Sequence, residues 1–225
     1  EAPREHAKTT RVTIGRIIWE LGKNPDLRIK VISQNDDKTE EIVGAISTHI
    51  LINPRVKLVF PNLVPSEFGS WGAHKLFVKR SIISRDASLE GCGVLSAGVG
   101  GRADILFFDD PVDFKNAIMY PSMRETVKNT YFSTWLNLLP AHGGRAVYIC
   151  TPWHTKDLSS DLKSFHPEYH ISSNPINDNF EPVWEEKWSK EALMLRRQEI
   201  GFREFDRGFK LKALSSNVIL FPKIE

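Results

Sequence analysis

The chain has 225 residues, 41% of them hydrophobic and 26% charged, enough for one sizeable α/β domain or a core domain with a small appendage. No run approaches the ~20 apolar residues of a membrane span, and the polar, charged start is unlike a signal peptide. A formal net charge of +2 neither requires nor excludes a nucleic-acid partner, because a DNA-tracking surface can be a local patch. The two cysteines, Cys92 and Cys150, sit in apolar runs and are expected to be buried free thiols, not a disulfide framework.

From Lys8 to about Leu21 the apolar residues Val12, Ile14, Ile17, Ile18 and Leu21 fall at helical spacing, with Gly22 as a stop. Leu27 to Ser33 is a short strand after the Asn24-Pro25 break. A second helix is expected over Asp37 to Leu51, ended by Asn53-Pro54. Lys75 to Ile83 and Gly93 to Ala97 are expected as two shorter strands. Ala103 to Phe108 is a nearly unbroken apolar run ending in Asp109-Asp110, which suits a strand buried on both faces. Ser122 to Leu139 is expected as helix, turning at Pro140 and Gly143-Gly144 into a strand over Arg145 to Cys150. A helix start near Asp157, a strand at Tyr169 to Ser172, a polar loop from Asn174 to about Asp178 and a long charged helix from Ser189 to Phe209 complete the pattern. Alternating strands and helices predict an α/β fold: a mostly parallel sheet with helices on both faces, plus a small C-terminal helical subdomain. The expected division is residues 1–175 for the core and 176–225 for the appendage. In such sheets ligands bind at the carboxyl ends of the strands.

Three segments carry the chemistry. Ala2 to Thr9 has the length and ending of a phosphate-binding loop, GxxxxGK[ST], with Ala2 and Ala7 in place of both glycines. A loop that feeds a helix N-terminus aims backbone N–H groups at phosphate oxygens, and the helix dipole adds to the attraction. Lys8 would then reach the β/γ-phosphates and Thr9 would help to hold Mg²⁺. The same residues also read as an ordinary N-terminal helical turn. About a hundred residues on, the strand ending in Asp109 and Asp110 has the form of a Walker B element, in which one carboxylate serves Mg²⁺ and the next polarises the attacking water. Its other reading is a solvent-facing Asp-Asp-Pro turn. The third segment, VYICTPWHTKDL, sets Thr151, His154 and Asp157 just past an apolar strand, where a polar residue is placed to feel a γ-phosphate. Its plainer reading is a Thr151-Pro152 turn, a surface His154 and a helix-capping Asp157.

In this order and spacing, the three segments resemble the ATPase domain of phage large terminase subunits, a P-loop NTPase of the RecA/ASCE-like kind. That family has a deviant loop of the PRxxxK[ST] type, matched by Pro3-Arg4-Glu5-His6-Ala7-Lys8-Thr9, followed here by Thr10. Its G-R-A-D-apolar-D-D-P segment is matched by Gly101-Arg102-Ala103-Asp104 through Asp109-Asp110-Pro111. Its T-R-W-H-x-x-D-L mark is matched by Thr151 to Leu158, with Pro152 in place of the arginine, and EIGFREFDRGF resembles its linker helix. The resemblance covers nearly the whole chain. It implies that residues Pro3 to Thr10 bind ATP, with Arg4 contacting the phosphates, and that Thr9 and Asp109 serve Mg²⁺. It further implies that Asp110 is the catalytic carboxylate, where many relatives have the longer glutamate, and that Thr151 couples nucleotide state to movement. Arg102 is a candidate arginine finger for a neighbouring subunit in a ring; a surface salt bridge is its other reading.

The partners implied are double-stranded DNA, a portal protein, a small terminase subunit and further copies of the chain in a ring, with no membrane. The location implied is the host bacterial cytoplasm, at the procapsid portal during packaging. A strand is expected before the phosphate loop and an RNase H-like nuclease after the linker, so the sequence is expected to continue at both ends, and no DNA cleavage is expected of it alone. Two other classes remain open: a helicase-like P-loop ATPase, and a module that binds nucleotide or DNA without hydrolysis.

Overall fold

The structure is a computed structural model that describes residues 1–96 and 100–215. The chain forms two compact units that interleave along the sequence, crossing between them after His6, Pro111, Lys128 and Ile149.

The larger unit holds a five-stranded sheet in the order β2-β3-β1-β4-β5. The strands are β1 (Ile29–Ser33), β2 (Lys75–Leu76), β3 (Leu89–Gly93), β4 (Ile105–Asp109) and β5 (Arg145–Ile149). All pairings are parallel except that of β2, which runs antiparallel along β3. The fold is therefore α/β with a mostly parallel mixed sheet, as the alternation of elements predicts. Every residue of β4 is buried, because it sits between β1 and β5 and is covered on both faces. Phe107 points into an aliphatic core with Ile17, Leu21, Ile42 and Ile46. On the opposite face Phe108 meets Tyr131 and Trp135, with ring centroids 4.8 and 6.3 Å away. This is the period-2 alternation of a strand, used to fill two cores at once.

Around the sheet, a tightly wound π-helical segment (Thr9–Ile14) runs directly into α1 (Gly15–Lys23). Helix α2 (Asp36–Ile52) starts at Asn35, whose side chain accepts a hydrogen bond from the Lys38 N–H, with Asp36 and Asp37 in its first turn to complement the dipole. Asn53-Pro54 ends α2 as expected but also opens a short helix, α3 (Pro54–Val59), with Asn53 as its cap and Pro54 in its first turn.

The strand expectations needed two corrections here. Of Lys75 to Ile83 only Lys75–Leu76 pairs in the sheet, with isolated bridges at Trp71 and Val78. The strand expected at Gly93 to Ala97 lies earlier, at Leu89–Gly93, while Ala97 falls outside the described residues. Two glycines hid it. At Gly91 the absent side chain is what lets α2 close on β3, since a Cβ there would sit 2.9 Å from Thr39 and 3.0 Å from Val43.

In the smaller unit α5 (Leu158–Phe165), α6 (Lys190–Ile200) and α7 (Phe202–Gly208) are the regular helices, joined in part by α4 (Pro121–Thr130). A separate core of Ile176, Trp188, Leu193, Phe205 and Phe209 holds α6 and α7. The helix expected over Ser189 to Phe209 is broken at Gly201, whose φ of 80° and ψ of 156° suit only glycine. The strand expected at Tyr169 to Ser172 does not form: these residues pair with no strand among the described residues, and Ile171 is 46% exposed. Both cysteines are free thiols, Cys150 buried and Cys92 partly exposed, the latter pushed up to about 11 by burial. No described helix is long and apolar enough to cross a membrane.

Candidate functional site

In the larger unit the sequence-predicted residues Ala7, Lys8, Thr9, Thr10, Asp109 and Asp110 all lie where the segment after the loop meets the carboxyl end of β4. Ala7 begins the turn with φ at 55°, the left-handed conformation that a glycine ordinarily supplies at this point of a phosphate loop. Its carbonyl already accepts from the Arg11 N–H at 2.8 Å, so helical hydrogen bonding starts here. Lys8 Nζ lies 2.9 Å from an Asp110 carboxylate oxygen. Thr9 donates its hydroxyl to Asp109, and so does Thr13, at 3.0 Å. Thr10 faces outward, and its carbonyl accepts from the Gly15 N–H across the π-helical turn.

Asp109 is the electrostatic centre of this group. It is 2% exposed, and burial together with the neighbouring charge of Asp110 holds its carboxyl above the ordinary range; the two threonine hydroxyls and Lys8 oppose this only in part. Asp110 follows with φ at 46°, a left-handed conformation that aspartate tolerates better than most residues, and its N–H donates to the Ile149 carbonyl at 2.9 Å. Two adjacent carboxylates, two hydroxyls and one lysine are therefore gathered on one strand end. Among the described residues no cluster of three or more His, Cys, Asp or Glu side chains could hold a metal unaided. Hard oxygen donors from Thr9 and Asp109 nonetheless suit Mg²⁺, which keeps most of its shell in water and phosphate oxygens, and the crowded negative charge at Asp109 favours a cation.

In the smaller unit, Pro3 is buried and Arg4 packs its guanidinium 4.7 Å from the Trp153 ring centroid. The Arg4 N–H donates to the Gly208 carbonyl at 2.9 Å. Glu5 also has a positive φ, 59°, and its carbonyl accepts from Lys187 Nζ at 2.5 Å. His6 lies parallel to Trp188 at 6.2 Å between centroids. Thr151, 3% exposed, donates to the Ala2 carbonyl at 3.4 Å. Asp157 is a helix cap: it accepts from Ser160 N at 3.0 Å and from the Trp153 and His154 N–H groups at 2.9 Å each, which fixes the turn after Thr151. His154 is buried, and desolvation lowers its pKa. Both residues thus hold the turn together.

Arg102 lies at the start of β4, the end opposite Asp109. Its N–H donates to Asp86 and its guanidinium to the Asn137 carbonyl, each at 3.2 Å, and it makes no ion pair among the described residues. Sequence reasoning missed Thr13 and Arg207. Thr13 was legible, four residues after Thr9 on the same helical face. Arg207, which packs 4.3 Å from the Trp153 ring centroid, carries no local signal.

No protein-family profile matches the chain, and no curated protein matches it in sequence.

The loop conformation gives a direct test. Alanine in the left-handed region costs roughly 1–2 kcal/mol relative to its preferred conformations. Ala7→Gly is therefore expected to raise stability or leave it unchanged, whereas Ala→Gly within a helix costs about 1 kcal/mol. Urea unfolding of both proteins measures this, and a loss of about 1 kcal/mol would show that Ala7 is unstrained.

Proposed function

We propose that the protein is a P-loop ATPase of the kind that drives double-stranded DNA into a viral procapsid. The observation that carries this reading is the meeting of Lys8, Thr9 and Thr13 with the Asp109-Asp110 pair at the carboxyl end of a buried parallel strand. A sheet of this type takes its ligands at that end, and lysine, threonine and paired acids are the parts that phosphoryl transfer needs. The match of three motifs in order supports the packaging branch of such enzymes.

On this reading Lys8 exchanges its bond to Asp110 for the β/γ-phosphates of ATP. The exchange frees the Asp110 carboxylate to orient a water and draw off its proton as that water attacks the terminal phosphorus, while the bond from that phosphorus to the β–γ bridging oxygen breaks and ADP leaves with the bridging oxygen. Thr9 and Asp109 would hold Mg²⁺, which would supply positive charge to neutralise the phosphate oxygens. Thr13 keeps Asp109 aimed by its hydrogen bond. Arg4 and Thr151 retain the roles that the resemblance implies, phosphate contact and coupling. The partners are double-stranded DNA, a portal protein, a small terminase subunit and further copies in a ring, at the procapsid in the host cytoplasm. ATPase activity of the complete protein, with and without DNA and procapsid, tests this assignment: stimulation by both is expected, and indifference to both would contradict the packaging role.

Arg102 fits the ring. It precedes Asp110 by eight residues, a stretch that includes all of β4, for a separation of about 20 Å or more at ~3.3 Å per residue, too far to reach its own strand's acidic end. Arg102 is exposed, and among the described residues its guanidinium holds only the Asn137 carbonyl. Arg102→Ala is therefore expected to keep nucleotide affinity and lose hydrolysis in the assembled motor, about 10³-fold or more. Mixing it with Lys8→Ala subunits should restore part of the activity, since some interfaces then pair an intact site with an intact finger. No rescue in mixtures of confirmed assembly would leave Arg102 a structural residue.

A further inference from the structure

In the larger unit, α3 buries none of its six residues. Val56 and Phe60 reach the aliphatic core only in part. Phe60 seats on α1, where its ring fills the space that a Cβ on Gly22 would need, and it meets the Trp19 ring edge to face at 5.7 Å between centroids. Beyond this seam the apolar side chains are open: Trp19 is 48% exposed, Val59 58% and Leu58 83%. Exposed apolar residues scattered singly need no explanation, but several on two joined helices form a patch that marks an interaction site.

The charges around this patch are all of one sign. Lys23 Nζ lies 5.9 Å from the Trp19 ring centroid. At 100° per residue, Arg55 and Lys57 stand on either side of Leu58 around the α3 axis. Lys23, Arg55 and Lys57 make no ion pair among the described residues. No nearby carboxylate in these segments answers them. Residues 42–66 contain no aspartate or glutamate, and Glu20, the only carboxylate of α1, is taken up by Arg145 and Arg16. An apolar strip flanked by cations is complementary to a helix whose apolar face is flanked by carboxylates. We infer that this face docks an acidic amphipathic helix of another protein, with apolar side chains over Trp19, Leu58 and Val59 and flanking carboxylates on Lys23, Arg55 and Lys57. Nucleic acid fits less well, because Leu58 and Val59 offer neither a stacking face nor a hydrogen bond to a base. A second copy docking through the same face would set cation against cation. The inference does not depend on the ATPase reading.

The experiment is a fluorescence-anisotropy titration of the purified full chain into a labelled synthetic helix, with leucines at helical spacing on one side and glutamates on both flanks. A second helix with lysine in place of every glutamate is the control. The Glu/Leu helix is expected to bind saturably and to weaken as salt rises, whereas the Lys/Leu helix does not bind. Leu58→Ser, at a position too exposed to matter for packing, should weaken binding about tenfold or more, as expected when one leucine is no longer buried on docking. Arg55→Glu combined with Lys57→Glu should lose the Glu/Leu helix and gain the Lys/Leu helix. Absence of saturable binding by the wild type, or equal binding by Leu58→Ser, overturns the inference. So does tighter binding of duplex DNA or phosphatidylserine vesicles that the double variant loses and Leu58→Ser keeps, since the surface would then be purely electrostatic. Leu58→Ser should bind Mg²⁺–ATP as the wild type does, which keeps failure here distinct from failure of the ATPase reading.

Discussion

Lys8→Ala is expected to reduce ATP hydrolysis by about 10²–10³-fold, the scale for removing one donor aimed at developing charge, and to weaken triphosphate binding strongly. Lys8 is paired with Asp110, so the substitution acts twice. It removes the cation proposed to meet the β/γ-phosphates, and it takes away one of the influences that oppose the raised pKa of Asp109. Turnover of the purified variant measures the first effect. Unchanged turnover would mean that the loop holds no phosphate.

The second large effect separates the two carboxylates. Asp110→Asn is expected to keep Mg²⁺–ATP binding and lose hydrolysis, by about 10²–10⁴-fold for loss of a positioned base. Asp109→Asn should instead weaken the Mg²⁺ dependence of binding. It has a stability signature as well. The Asp109 carboxyl titrates above its unfolded value of 3.8, so below that value both states are protonated and the group costs nothing. As pH rises the unfolded chain ionises first and stability falls, until the folded carboxyl also ionises and the cost levels off. Asp109→Asn should therefore be more stable than the wild type at neutral pH, by on the order of 1 kcal/mol, and the advantage should shrink as pH falls towards the unfolded pKa. Urea midpoints at several pH values read this. If Asp110→Asn loses Mg²⁺ dependence and Asp109→Asn loses only turnover, the two roles are exchanged.

Elements with a clear pattern were legible from sequence: β4 as an unbroken apolar run, and α2 with its stop at Asn53-Pro54. What failed has a local physical cause. β3 carries Gly91 and Gly93, a composition that reads as loop until α2 is seen to need the missing Cβ. The Tyr169 to Ser172 run has strand composition but no sheet neighbour among the described residues, and pairing, not propensity, makes a strand. Gly201 inside a charged helical pattern was read through, although a positive φ at glycine is the commonest helix stop. In the candidate site, Lys8, Thr9, Asp109 and Asp110 were found by spacing, because loop and strand end each carry their own pattern. Arg207 was not, since its place beside Trp153 exists only after the tail helices fold.

On the proposed reading, the segment from Ala7 to Thr13 and the Asp109-Asp110 pair bind the phosphates of ATP with Mg²⁺. Calorimetric titration of the purified protein with a slowly hydrolysed ATP analogue, with and without Mg²⁺, tests it most directly. Saturable binding that strengthens with Mg²⁺ in the wild type, weakens in Lys8→Ala and loses its Mg²⁺ dependence in Asp109→Asn is the predicted result. Binding that is absent, or equal in all three proteins whether or not Mg²⁺ is present, would contradict it.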